Sequence, residues 1–392
     1  MIGGITAAVG SLVSLVGLGA IALEWQYRRR PGNRLDLTPG TWNVTALEAN
    51  HYQLQGHLEF CNRTRTLEIM VPEVSARVHL FSDASLAGVT PEIRIIPNHV
   101  DAAPRADDYW FAYIVKVGKT TGLTINIDIK GPNLDQLQCA WIPVRYVTYG
   151  PQGRIPKIRH LIIPLQSAPA APLGTPRQVN NTEVYPIKTH LLTPQDDPVE
   201  IVKRYVVPHA QKGDIITIGE TPVAIMQNRF RHPTDIQPGW VARRICYFFL
   251  PTSSLATACG LQALVDIVGP VRVLGAFIVG AIAKIFGKPG VFYQLAGEQA
   301  RLIDDVTGTL PPYDQFIVLG PANPQKVVEE IQQETGLSAA IVDVNDLKAV
   351  KILAATPDIA PRLLEEALRS NPAGNADERT PLVLIRPQLP RP

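Results

Sequence analysis

Asp343 is the side chain best placed to do chemistry in this sequence. It follows the apolar run Ala339 to Val342, which reads as a buried strand, and α/β folds place ligands or metal at the C-terminal ends of strands. Other candidates fail on spacing. Gly118-Lys119-Thr120 has the ending of a phosphate loop, but Tyr113 stands where its first glycine belongs and strands flank it, so a hairpin turn is expected. His51 and His57 have no carboxylate or cysteine at metal-ligand spacing, and Cys61, Cys139, Cys246 and Cys259 form no C-x-x-C pair. Neither a zinc site nor a disulfide scaffold is indicated. No nucleophile elbow, dinucleotide fingerprint or metalloprotease helix occurs, which leaves hydrolase and dehydrogenase readings without support.

The elements that must position such a site lie in a chain of 392 residues, long enough for two or three domains. A hydrophobic content of 46% supplies cores for them, and 37 basic against 35 acidic residues leave a net charge of +2, too little to attract nucleic acid. Residues 1–30 read as a membrane anchor. Ile2 to Leu23 is uncharged and has the length of a transmembrane helix, with Trp25 and Tyr27 at an interfacial position and Arg28, Arg29 and Arg30 after them. By the positive-inside bias the body lies on the cytoplasmic side, which makes the lipid bilayer a partner and the sequons at Asn43, Asn62 and Asn180 chance matches.

Residues 31–165 read as a β-sandwich-like module. Leu123, Ile125, Ile127 and Ile129 alternate with polar residues, as do Tyr52, Leu54, Leu58 and Phe60. Further strands are expected at 65–71, 75–81, 109–117 and 158–165, with no crossover helix between them. Residues 166–183 form a linker rich in Pro and Ala. From 184 to 392 strands and helices mix. Strands are expected at Asp214 to Ile218 and Leu382 to Ile385. A helix is expected from Pro324, with Asn323 before it and Gly336 after it, and another at Ala360 to Arg369. The uninterrupted apolar run Val273 to Ala283 is too short to span a bilayer, and extending it brings in Asp266, Pro270 and Arg272. The stretch 264–283 therefore reads as a buried or interfacial helix in preference to a second membrane segment, with Lys284 and Lys288 reaching toward headgroups if it touches the bilayer. The expected fold class is therefore α+β and multidomain: a transmembrane helix, a β-sandwich-like module and a C-terminal mixed α/β domain.

The last of these resembles a known family. Lys212-Gly213-Asp214-Ile215-Ile216-Thr217-Ile218, followed by Arg229, is similar to the opening strand and turn of the coenzyme F420-0:gamma-glutamyl ligases. Ile303-Asp304-Asp305, Phe316-Ile317-Val318-Leu319-Gly320-Pro321 and the strand ending in Asp343 resemble, in the same order, that family's Gly-Val-Asp segment, Leu-Leu-Pro loop and Ser-Asp-Thr strand end. The resemblance covers roughly residues 184 to 390 and leaves the anchor and the β module unexplained.

It implies a ligase dependent on GTP and on Mn or Mg, which activates a small-molecule acid as an acyl phosphate and joins it to glutamate by an amide bond. Asp304 and Asp343 match the metal-binding aspartates, Asn345 and Asp346 offer oxygens in the same strand-end turn, and Arg229 matches the nucleotide-binding arginine. Read without the resemblance, Asp304 or Asp305 caps a helix and Asp343 fills a turn. The sequence also departs from the family: Thr221 and Ile225 replace lysines, Gln227-Asn228-Arg229 replaces Glu-Gly-Arg, and Val344 replaces a threonine. Two functions stay open, a membrane-held ligase and a catalytically inactive ligase-like scaffold or assembly subunit that docks a membrane-protein partner.

Overall fold

A computed structural model describes residues 15–26, 33–166, 172–304, 310–344, 349–374 and 378–388. Helix α1 (Leu15–Gln26) is apolar and stands exposed, and the earlier part of the expected anchor lies outside the described residues. No single described helix is long and apolar enough to cross a membrane.

Ten strands follow: β1 (Leu35–Leu37), β2 (Thr41–Glu48), β3 (His51–Asn62), β4 (Ile69–Ala76), β5 (His79–Ser82), β6 (Thr90–Asn98), β7 (Tyr113–Val115), β8 (Thr120–Lys130), β9 (Leu137–Gly150) and β10 (Gly153–Pro164). They form two five-stranded sheets. One has the order β1-β3-β8-β6 with β2 also on β3, and the other has β10-β9-β4-β7 with β5 also on β9. The alternation in β8 sends Leu123, Ile125, Ile127 and Ile129 into the shared core, each fully buried, where such side chains contribute about 1.5–3 kcal/mol apiece. Gly56 on β3 is required because the ring of its cross-strand partner Trp42 lies over it, 2.5 Å from where a Cβ would stand.

Three details differ from expectation. Strand β4 runs through Pro72 because a register shift between Met70 and Glu73 takes up the missing donor. Residues 109–117 are extended only at β7, since Trp110 turns inward and its indole donates to the Val71 carbonyl at 2.9 Å. The Gly118-Lys119-Thr120 turn is a corner between sheets and not a hairpin. It joins β7 to β8, which lie in different sheets, and the Gly118 amide donates to the Asn62 carbonyl. Asn62 is itself buried, its side chain donating to the carbonyls of Leu67 and Val115.

The second domain continues with β11 (Arg177–Val179), which falls inside the range read as linker, β12 (Thr182–Ile187), α2 (Pro198–Tyr205), β13 (Ile215–Gly219), α3 (Glu220–Met226) and β14 (Phe230–Arg231). A helical insertion follows: α4 (Trp240–Ile245), α5 (Ala258–Val268), α6 (Pro270–Ile285), α7 (Val291–Ala296) and α8 (Gln299–Leu302). The chain then returns through β15 (Ile317–Val318), α9 (Pro324–Thr335), β16 (Ser338–Val344), β17 (Val350–Ala355), α10 (Pro361–Leu368) and β18 (Leu382–Pro387). The central sheet has the order β11-β12-β18-β13-β16-β17. Its β13–β16 pairing is parallel and its others are antiparallel. Alternation sorts its side chains between two layers. Ile216, Ile218, Ala339 and Ile341 pack with Val202 of α2 and Val328 of α9, while Ile215, Ala340 and Val342 pack with Leu364 and Leu368 of α10. The fold is α+β, a β-rich N-terminal domain before a C-terminal region with helices on both faces of a mixed sheet.

The two domains share a buried cluster. Cys139 and Ile162 of the sandwich join Leu191, Ile225, Phe230, Tyr313 and Phe316 of the second domain, and Trp141 and His160 meet the Phe316 ring edge-on at 5.5 and 5.3 Å.

Candidate functional site

The site is built by the parallel pairing of β13 with β16. Gly219 of β13 stands opposite Val342 of β16. Because the strands run the same way, the residues that follow, Glu220 and Asp343, stand side by side at the C-terminal end of this interior pair. Asp304 comes to them from a separate direction: its amide and carbonyl bridge those of Val318 at 2.8 Å each way. Thr221 donates to Asp304 Oδ2 at 3.4 Å.

These carboxylates are poorly solvated and feel one another. Burial first, then the charges of Asp343 and Asp304, push Glu220 up to about 9, with Lys351 opposing. Burial and then Asp343 push Asp304 up to about 6, with the Thr221 hydrogen bond opposing. Among the described residues, Glu220 Oε2 is buried without a hydrogen-bond partner, as is Nζ of Lys351, the residue paired with Asp343 across β16 and β17. Such orphaned groups are costly and call for a further partner at the site.

The three acids open on a cavity of about 570 Å³. Leu191, Leu192, Ile225 and Tyr313 give it an apolar wall, and Arg301 and Arg379 place cations on it. His190 also lines it, but both ring nitrogens are engaged, Nδ1 with the Tyr205 hydroxyl at 2.7 Å and Nε2 with Asp196 at 2.9 Å. Arg379 donates to Asp83 of the sandwich, so the N-terminal domain touches the site.

Of the residues expected from sequence, Asp304 and Asp343 are brought together. Arg229 is held elsewhere, its Nε donating to the Gly320 carbonyl at 2.6 Å and its Nη2 to Gln299 at 3.3 Å, and it is not among the residues lining the cavity. Asn345, with Asp305 and Asp346, lies outside the described residues. Glu220 was not expected, although an apolar strand ending in Gly-Glu carried the signal. Lys351, Arg301 and Arg379 had no local signal, because only the folded chain brings them to the acids.

Oxygen donors of this kind suit Mn or Mg, and the orphaned Glu220 oxygen and the mutual repulsion of the acids are what a divalent cation would relieve. Among the described residues, no three His, Cys, Asp or Glu converge on one point at metal-holding geometry. The donor types fit a cation, but these acids alone do not form its cage.

Residues 36–167 match the family model described as F420-0:gamma-glutamyl ligase, N-terminal Ig-like domain. The match falls on the β module that the sequence resemblance left unexplained and does not extend to the C-terminal domain on which that resemblance rested. It supports a ligase-like relation and makes the sandwich Ig-like. Among solved structures, the yeast GGA1 GAE domain is 12% identical over 35% of this chain and 96% of that one, with a TM-score of 0.19. The GAE domain of GGA2p from Saccharomyces cerevisiae is 6% identical over 34% and 99%, with a TM-score of 0.20. Likenesses this low carry no argument. No curated protein sequence matches the chain.

Proposed function

We propose that the C-terminal domain is a gamma-glutamyl ligase-like catalytic domain that joins a small-molecule acid to glutamate with GTP and Mn or Mg, in a chain anchored to a membrane with its body on the cytoplasmic side. The observation that carries this reading is the meeting of Asp304 with Glu220 and Asp343, the latter two at parallel strand ends, over a cavity of about 570 Å³. The Ig-like match upstream supports the same family. The anchor rests on the uncharged run Ile2 to Leu23 and on α1, whose Leu15, Leu18, Ile21 and Leu23 are each more than half exposed.

In this reading an oxygen of the acid attacks the terminal phosphorus of GTP and GDP leaves, giving an acyl phosphate. The amine of glutamate then attacks the acyl carbon, phosphate departs and the nitrogen gives up its proton. Glu220, Asp304 and Asp343 would supply oxygen donors to a cation whose remaining ligands come from elsewhere, and such a cation would offset phosphate charge and polarise the transferred group. Lys351 opposes the burial that raises Glu220 without cancelling it, so a cation bound there would have to displace the Glu220 proton. Arg301 faces the cavity as the cation for the phosphate chain, and the apolar wall at Leu191 and Tyr313 limits water at the acyl phosphate.

A second reading, an inactive ligase-like scaffold, is favoured by Arg229, whose guanidinium is bound within its own domain, and by the absence of cations at Thr221 and Ile225. Thermal unfolding of the full chain in detergent with manganese and each of GTP, GDP and ATP separates the two. Ligase function predicts a metal-dependent, guanine-selective rise, about 2.7 kcal/mol at a hundredfold excess over Kd. A folded sample that responds to no nucleotide leaves the scaffold.

A further inference from the structure

The helical insertion keeps a second apolar surface outside its own core. On α6, Val273 and Ala276 are buried against the insertion, and Gly280 packs against Phe292. The opposite stripe is apolar too: Val271, Ile278, Ile282, Ile285 and Phe286 are 84, 49, 50, 82 and 76% exposed. A helix apolar on all sides belongs in a core or against lipid. Next to it the segment 240–250 presents Trp240, Tyr247, Phe248 and Leu250, each at least 66% exposed. Phe248 meets Phe277 of α6 at 5.1 Å, which sets the segment against the helix.

The charges around this surface are one-sided. Between residues 240 and 297 the basic side chains are Arg243, Arg244, Arg272, Lys284 and Lys288, and Asp266 is the one acid, paired with Arg231. Arg243 and Arg244 share a depression with Trp240 and Tyr247, an aromatic and cationic rim of the kind that sits at headgroup level. By itself α6 is too short for a crossing. Its 16 residues reach about 24 Å, short of the roughly 30 Å core, α5 departs from it at 113°, and its other stripe is committed to protein.

We propose that this face, α6 with the Trp240–Leu250 segment, lies flat on an anionic lipid bilayer, apolar side chains in the acyl boundary and Arg243, Arg244, Lys284 and Lys288 at the headgroup phosphates. The body then meets the membrane at a second place besides the N-terminal anchor. A flat contact of this kind fixes the orientation of the domain at the bilayer, which a tether alone does not.

The test is photocrosslinking of the full chain in phosphatidylcholine vesicles containing phosphatidylglycerol, with p-benzoylphenylalanine introduced at Ile282 or Tyr247 and, as a control, at Ile114 on the sandwich, which is 46% exposed. Lipid adducts several-fold more abundant at Ile282 and Tyr247 than at Ile114 are expected. A chain held by α1 alone favours neither position, so equal yields overturn the proposal, as does a dominant adduct to a second copy of the chain. Replacing phosphatidylglycerol by phosphatidylcholine should lower the yield by at least about fivefold, the worth of a single one of the four basic side chains at about 1 kcal/mol. An unchanged yield overturns the headgroup role of the basic residues. The readout needs no nucleotide, so it stands or fails separately from the ligase reading.

Discussion

Arg379 donates two hydrogen bonds to Asp83, Nη1 to Oδ2 at 3.1 Å and Nη2 to Oδ1 at 2.7 Å, across the boundary between the Ig-like domain and the C-terminal domain. The same arginine lines the cavity, so the position of one of its cations depends on a residue 296 positions away in sequence. The pairing is strong enough to hold the Asp83 carboxyl below its usual range. An N-terminal domain that contacts the site through such a pair is a part of its geometry and not only a spacer.

Replacing Asp83 with Ala should therefore cost little stability and change the cavity. The pair is partly exposed, so the expected loss is about 0.5–1 kcal/mol, with a coupling of similar size in a double-mutant cycle with Arg379→Ala. Urea unfolding of the four proteins measures it. If the double mutant loses the full sum of the two single losses, the residues act independently and Arg379 does not depend on Asp83.

The carboxylate cluster sets a pH dependence. Glu220 is raised from 4.5 to about 9 and Asp304 from 3.8 to about 6, so the folded state binds both protons more tightly than the unfolded chain. The stability they contribute is full below the unfolded values and is lost as pH rises through the folded ones. Without added metal, stability should fall between about pH 4 and pH 9, by about 1.4 kcal/mol per pH unit for each group within its window. Glu220→Gln should flatten the portion above about pH 6 and leave the variant more stable than the parent at about pH 8. An equally steep fall in that variant would exclude Glu220 as its source.

Metal binding has a direct test in the same cluster. Manganese should raise the unfolding temperature of the full chain, and Asp304→Asn with Asp343→Asn should abolish that rise, because a ligand that binds only the native state stabilises it in proportion to its occupancy. Removing buried repulsion should also leave the double variant no less stable than the parent without metal. Retention of the full manganese effect would place the cation elsewhere.

Much of the fold was readable locally, and much of the site was not. The alternation of Leu123 to Ile129 has the period of a strand, and α9, Pro324–Thr335, has Asn323 before it and Gly336 after it. Strand β6 escaped because Pro91 and Pro97 interrupt it, which is tolerable since it lies at a sheet edge with one partner, β8. Asp343 was visible as a carboxylate ending a strand, but Glu220 acquires its meaning only from the parallel register Gly219 to Val342, a long-range pairing that no local pattern encodes. Arg229 shows the converse. Its sequence neighbours resemble a nucleotide motif, while its guanidinium is engaged with Gly320 and Gln299.

Phe316 tests how firmly the two domains are joined. It is fully buried, and its ring lies edge-on to Trp141 and His160 of the Ig-like domain and to Phe230 and His232 of its own. Phe316→Ala should cost about 3–5 kcal/mol, the usual loss for an aromatic truncated in a core, and because the cavity falls on the boundary the loss should appear as reduced cooperativity. Calorimetry should then resolve two transitions where the parent shows one. Ile127→Ala, within the sandwich core alone, should cost about 2–5 kcal/mol by destabilising its own domain, without opening the boundary. A single sharp transition in Phe316→Ala would mean that the remaining contacts, with Asp83–Arg379 among them, suffice to couple the domains.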